Sequence, residues 1–166
     1  MIPSCRELNL GNAVDLILWR HAEAEDQRAG QSDLERALTE RGRRDAQRMG
    51  EWLGQRLAPT TRVLVSPARR TQQTAKALGR RFETIDAIAP DRSVQELLSA
   101  AGWPASRDPV LLVGHQPTLG MAAARVLCGN AEPWSMKKSG VWWFRAREGE
   151  HGKEVVLLSV QSPDLL

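Results

Sequence analysis

The sequence predicts an α/β protein with three layers, a mostly parallel central sheet flanked by helices. Three observations carry this. Short apolar runs rich in branched residues occur at 16–19, 63–65 and 110–113, too short for helices and read as buried strands. Segments of helical periodicity alternate with them, which is the pattern of βα units. Two further strand-like runs close the chain at 141–146 and 155–160.

The first strand is predicted at 15–19, followed by a polar loop over 22–37. Thr39 is placed to cap a helix running to about Leu57. There Ala46, Met49, Trp52, Leu53 and Leu57 recur on one face, and Pro59 ends it. The second strand is read at 62–65. Ser66-Pro67 is then expected to open a helix, with Ser as cap and Pro in the first helical position. Ala75, Leu78 and Phe82 would face the core. A short third strand falls near 84–88. Ser93 caps a helix bearing Val94, Leu97, Leu98 and Ala101, ended by Gly102 and Pro104. The fourth strand is read at 110–113. Gly114-His115-Gln116-Pro117 turns the chain into a small-residue helix from Thr118 to about Leu127. The last two strands are expected to pair as a hairpin across 147–153, with Asp164-Leu165-Leu166 as a tail. Residues 1–13 read as a loosely attached extension, and 14–166 as one domain, which suits the length of 166 residues.

Composition narrows the function classes. A hydrophobic content of 42% with 26% charged residues is that of a globular chain with a substantial core. The two cysteines, Cys5 and Cys128, lie far apart and form no paired motif. This excludes a disulfide framework, argues against a structural zinc site and suggests free thiols in a reducing compartment. No run approaches the roughly 20 apolar residues of a membrane span. The first eleven residues lack the apolar stretch of a secretory signal, so a cytoplasmic location is expected. The net charge is +3, and the first 83 residues hold 15 basic against 11 acidic groups. Most of these arginines read as solvated helix surface, although the bias would favour an anionic substrate. No basic stripe with interleaved aromatics indicates nucleic acid. The six tryptophans are read chiefly as packing. Trp142-Trp143 lie on a strand, while Trp103 and Trp134 lie in loops, where lining a docking surface is the alternative.

The chemistry is concentrated at three strand ends. Arg20-His21 follows the first strand, Ser66-Pro67-Ala68-Arg69-Arg70 the second, and Gly114-His115 the fourth. Open α/β sheets place their ligand sites at the carboxyl ends of strands. Guanidiniums there would clamp phosphoryl oxygens, and an imidazole can attack phosphorus when its second nitrogen is tied to a hydrogen-bond acceptor. The transition state of phosphoryl transfer spreads charge over three oxygens, so several fixed cationic donors are the matching machinery. His21, Arg20, Arg70 and His115 are therefore the candidate catalytic and substrate-binding residues. Arg69 points elsewhere as surface, and His151 lies in a polar turn. No metal or cofactor is expected, because no cluster has ligand spacing and guanidiniums supply the positive charge. No glycine-rich phosphate loop is present either.

The segments Leu18-Trp19-Arg20-His21-Ala22, Val65 to Ala75 with its Ser66-Pro67-Ala68-Arg69-Arg70 core, and Val113-Gly114-His115-Gln116-Pro117 together resemble the histidine phosphatase superfamily, whose fold is phosphoglycerate-mutase-like. The short chain, and Leu38-Thr39-Glu40-Arg41-Gly42 opening the first helix, are similar to the SixA-type phosphohistidine phosphatases, a minimal form without a cap domain. This resemblance implies a phosphoryl group passing covalently through His21, with Arg20, Arg70 and His115 around its oxygens and Arg36 as a further substrate contact. It implies a phosphohistidine-bearing partner, for example a histidine phosphotransfer domain, reached through an open cleft; the chain is expected to act as a monomer. Ala22 stands where the family usually has glycine, which a negative backbone torsion would accommodate. No general acid can be placed. Glu96 reads as a surface carboxylate, and Glu23 and Glu25 are near only in sequence. A small-molecule phosphomonoesterase and a phosphoprotein-binding module with weak turnover are the alternative readings.

Overall fold

The computed structural model describes residues 13–166. The first twelve residues of the expected extension, Cys5 among them, lie outside the described residues. Four strands run parallel in the order β3 (Glu83–Thr84), β2 (Arg62–Val65), β4 (Val110–Gly114), β1 (Val14–Arg20). The antiparallel hairpin β5 (Val141–Gly149) and β6 (Gly152–Gln161) is laid on the outer edge of β1. The result is the mostly parallel, three-layer sheet that the alternation of strand and helix signals predicts.

Strands β1, β2 and β4 are apolar on both faces because helices cover both faces. Ile17 and Trp19 of β1, with Val63, Val65, Leu111 and Val113, pack on Met49 and Leu53 of α1 (Glu40–Gly54) and Ala75 of α2 (Arg69–Lys76). Their strand neighbours Leu16, Leu18, Leu64, Val110 and Leu112 point the other way. They meet Leu97 of α3 (Val94–Ala101) and Leu119, Ala122 and Ala123 of α4 (Thr118–Cys128). Alternate side chains along each strand thus feed two separate cores, as a two-residue period requires.

Helix ends follow their local chemistry. Thr39 accepts a bond from the Gly42 amide at 2.9 Å. Ser93 and Glu96 form a reciprocal capping box on α3, and Gly102 closes that helix at φ 65°. Gly42 has a further reason to lack a side chain, since a Cβ there would stand 2.0 Å from the Glu23 carbonyl oxygen. This close approach sets the first turn of α1 against the chain leaving His21. That chain is held by the Thr39 amide donating to Glu23 O and by a bridge between Ala24 and Leu38.

Two expectations need correction. The second helix begins at Arg69, with Ala68 at the cap position and no side-chain cap. Ser66 lies ahead of the helix: its hydroxyl accepts from the Ala68 amide at 3.3 Å and meets His115 Nε2 at 2.7 Å, and the chain bends through residues 67–68. The terminal residues are not a tail. Residues Pro163–Leu165 form a 3-10 turn against α1, where Arg48 donates to Leu166 O and Lys137 pairs with Asp164. The two loop tryptophans pack inward. Trp103 is buried with its indole N–H on Val14 O, and Trp134 lies against Trp142.

Candidate active site

Backbone pairing fixes the first two residues of the site. Arg20 lies opposite Gly114 at the end of the β1–β4 ladder. One step on, the His21 amide donates to Gly114 O, and His21 O accepts from the Ser139 amide. The Ala22 amide donates to the Thr74 hydroxyl at 3.0 Å, and that hydroxyl donates to Arg70 O at 2.8 Å. Thr74 therefore ties the turn after β1 to α2, the helix that carries Arg70. Ala22 is fully buried against Leu38 and Ala46 and has no positive φ, so its methyl group is accommodated.

His21 Nδ1 lies 2.7 Å from Ala22 O. A carbonyl only accepts, so this nitrogen carries the proton and Nε2 keeps its lone pair. Burial lowers the pKa of His21 to about 4; the Ala22 bond opposes this, and the charges of Arg70, Arg20 and Arg36 add to it. The imidazole is neutral at physiological pH. His115 stands beside it, with ring centroids 5.3 Å apart. Its Nε2 is 2.7 Å from the Ser66 hydroxyl. Burial, then His21 and Arg70, lowers its pKa to about 3, with Asp33 acting the other way. At physiological pH His115 is therefore a neutral ring rather than a cation. A Ser66 hydroxyl donating to Nε2 leaves the His115 proton on Nδ1.

The arginines complete the cluster. Arg70 is 4% exposed, and its guanidinium end donates to Asp33 O at 2.7 Å and to Asp33 Oδ2 at 2.8 Å. Arg20 donates through Nη1 to Met136 O at 2.6 Å. Arg36 reaches Glu25 O and Asp33 Oδ1. Arg20 Nε, Arg70 Nε and His115 Nδ1 are buried with no partner among the described residues. An orphaned buried donor costs about 1–3 kcal/mol. Such atoms on three residues that neighbour His21 make a cluster whose chemistry suits an anion with several acceptor oxygens.

All five sequence candidates are thus brought together, Arg36 through Asp33. Three contributors escaped sequence reasoning. Ser66 was read as a helix cap, Asp33 sits in a loop without periodicity, and Thr74 looks like any helical threonine. Two of the three acid candidates are engaged elsewhere. Glu96 belongs to the capping box of α3 and pairs with Arg92, and the bonds from Ser93 hold its carboxyl below the usual range. Glu23 accepts from the Thr39 hydroxyl and lies near Lys138. Glu25 lends only its carbonyl, to Arg36. Among the described residues no group of three or more His, Cys, Asp or Glu could hold a metal ion. No described helix is long and apolar enough to cross a membrane.

Known proteins agree with this architecture. The family model of the histidine phosphatase superfamily (branch 1) matches residues 16–97. A candidate phosphohistidine phosphatase SixA from Nakamurella multipartitia is similar at 28% identity and TM-score 0.74, over 93% of this chain and 99% of that one. A second candidate SixA, from Agrobacterium tumefaciens, is 25% identical with TM-score 0.74, over 90% and 99%. A protein histidine phosphatase SixA complexed with tungstate gives 25% and 0.74, over 92% and 99%. No curated protein matches the chain. With its cap-less phosphoglycerate-mutase-like sheet and the family model matched over residues 16–97, the chain is similar to the histidine phosphatase superfamily.

Proposed function

We propose that the chain is a phosphohistidine phosphatase acting on a partner protein through a covalent phosphohistidine on His21. The carrying observation is the His21 tautomer: Nδ1 is tied to Ala22 O, so the Nε2 lone pair is free beside three unpartnered buried donors. In the first step Nε2 forms a bond to phosphorus while the substrate's P–N bond breaks. The electron pair of that bond leaves on the substrate imidazole, which takes its proton from solvent. In the second step water attacks the phosphorus on His21. The N–P bond breaks, its pair returns to Nε2, and phosphate carries the oxygen away. Arg20, Arg70 and His115 donate to the equatorial oxygens in both steps, and Arg36 contributes charge at the mouth.

The leaving group supports the substrate class. An imidazole departs with far less proton assistance than an alkoxide. The Glu23 and Glu96 carboxyls are occupied by structural bonds, the Glu25 side chain is exposed, and Asp33 is an ionised partner of two arginines. The likeness to SixA proteins over nine-tenths of the chain supports the same reading.

The test compares phosphate release from a phosphohistidine protein and from p-nitrophenyl phosphate, with chelator present, for wild type and His21→Ala. We expect release that is much faster from phosphohistidine and lost in the variant. Faster ester turnover would replace this reading with a phosphomonoesterase, and retained release in His21→Ala would remove the covalent intermediate.

A further inference from the structure

Asp33 is the unexplained member of the cluster. Its carboxylate stands between two guanidiniums, with Oδ2 at 2.8 Å from Arg70 Nη2 and Oδ1 at 3.0 Å from Arg36 Nη1. Its main-chain oxygen takes the remaining end of Arg70. The partners differ in freedom. The Arg70 side chain is 5% exposed and fixed under the pocket, whereas that of Asp33 is 41% exposed. Asp33 opens a three-residue 3-10 turn whose own capping box, Ser32 with Glu35, does not involve its side chain. The carboxylate can swing to water without disturbing the turn; the buried arginine has nowhere to go.

Two anions thus have a claim on one set of cations, because phosphoryl oxygens and a carboxylate ask for the same guanidinium donors. Resting on the phosphoryl-pocket reading above, we propose that Asp33 is an internal competitor for that pocket. Its carboxylate holds Arg70 and Arg36 while the site is empty and cedes them to phosphoryl oxygens. It takes them back as phosphate leaves, so the pocket keeps its arginines aligned without retaining free phosphate. A residue that merely buttressed Arg70 would act in the opposite direction, because its loss would misplace a donor and weaken binding. The sign of the effect on phosphate affinity therefore separates the two roles.

The probe is inorganic phosphate, titrated calorimetrically into wild type, Asp33→Asn and Asp33→Ser at fixed ionic strength. Asn keeps the size and an amide oxygen, and Ser is smaller with only a short hydroxyl, so the pair covers a fold defect in one of them. Glu150→Gln, an exposed hairpin-turn substitution, controls for net charge. Asp33→Asn is expected to tighten phosphate on the order of 10-fold, the effect of removing one nearby, partly solvent-screened negative charge. Product inhibition should strengthen in step, with Glu150→Gln unchanged. Unchanged or weaker binding in the folded Asp33 variants, with wild type binding and Arg70→Ala not, overturns the competitor. Equal tightening in Glu150→Gln would overturn it as well, by reducing the effect to net charge. Absence of phosphate binding in wild type would instead remove the pocket itself, and the competitor with it.

Discussion

Two arginine–aspartate pairs in this molecule are built in opposite senses. Arg145 of β5 and Asp15 of β1 are cross-strand partners, bonded Nε to Oδ1 at 2.6 Å and Nη2 to Oδ2 at 2.9 Å. There the acid is inside and the base is out, with side chains 10% and 40% exposed, and the bond to Asp15 raises the pKa of Arg145. At the other end of β1 the base is inside and the acid is out. Arg70 and Asp33 meet end-on, the carboxylate is shared with Arg36, and Arg70 Nε is left over. The first pair satisfies both partners and serves the sheet. The second leaves a buried cation with spare donors, the property that a structural pair lacks and a binding site needs.

Breaking the two pairs should have unlike consequences. Arg70→Ala is expected to lower phosphate release by about 10²- to 10³-fold, the cost of one oxyanion donor. Arg145→Ala should leave release within about twofold while lowering stability by about 1–3 kcal/mol, because Asp15 stays buried without its partner. Single-turnover phosphate release and urea unfolding on both variants measure this contrast directly.

Acid should strain the catalytic end before the hairpin end. Folding holds His21 near 4 and His115 near 3, against an ordinary 6.5. The unfolded chain then binds protons that the folded one refuses, so stability is full above about pH 6.5 and falls as pH drops toward 4. The loss is on the order of 3 kcal/mol for His21 alone. NMR titration should find both imidazoles neutral at pH 5; a midpoint near 6.5 for either would contradict the burial that sets them.

A smaller effect belongs to Thr74, which joins the His21 turn to Arg70. Thr74→Val removes its bonds to the Ala22 amide and Arg70 O. Urea unfolding should report a loss of about 1–3 kcal/mol with an unchanged denaturant slope.

The fold was legible because its signals are local. Apolar runs announce β1, β2 and β4, and Ser93 with Gly102 brackets α3 within a residue. His21, Arg20, Arg70 and His115 could be named because each sits at the end of such a run. Asp33 could not, because its meaning depends on a tertiary meeting between a loop without periodicity and the first turn of α2. Ser66 misled for a related reason: Ser-Pro after a strand looks the same whether the hydroxyl caps a helix or orients an imidazole. Glu23 and Glu25 were close in sequence but are turned toward Thr39 and used through the backbone, respectively.

The oxygen behind His21 belongs to a peptide, not a carboxylate, and its bond to Nδ1 offsets only part of what burial takes from the ring's basicity. A weakly basic imidazole is a modest nucleophile but a good departing group. Under the proposed mechanism its bond to phosphorus is short-lived by construction. The phosphorylated enzyme would be a point of passage, unsuited to storing the phosphoryl group or handing it to another protein.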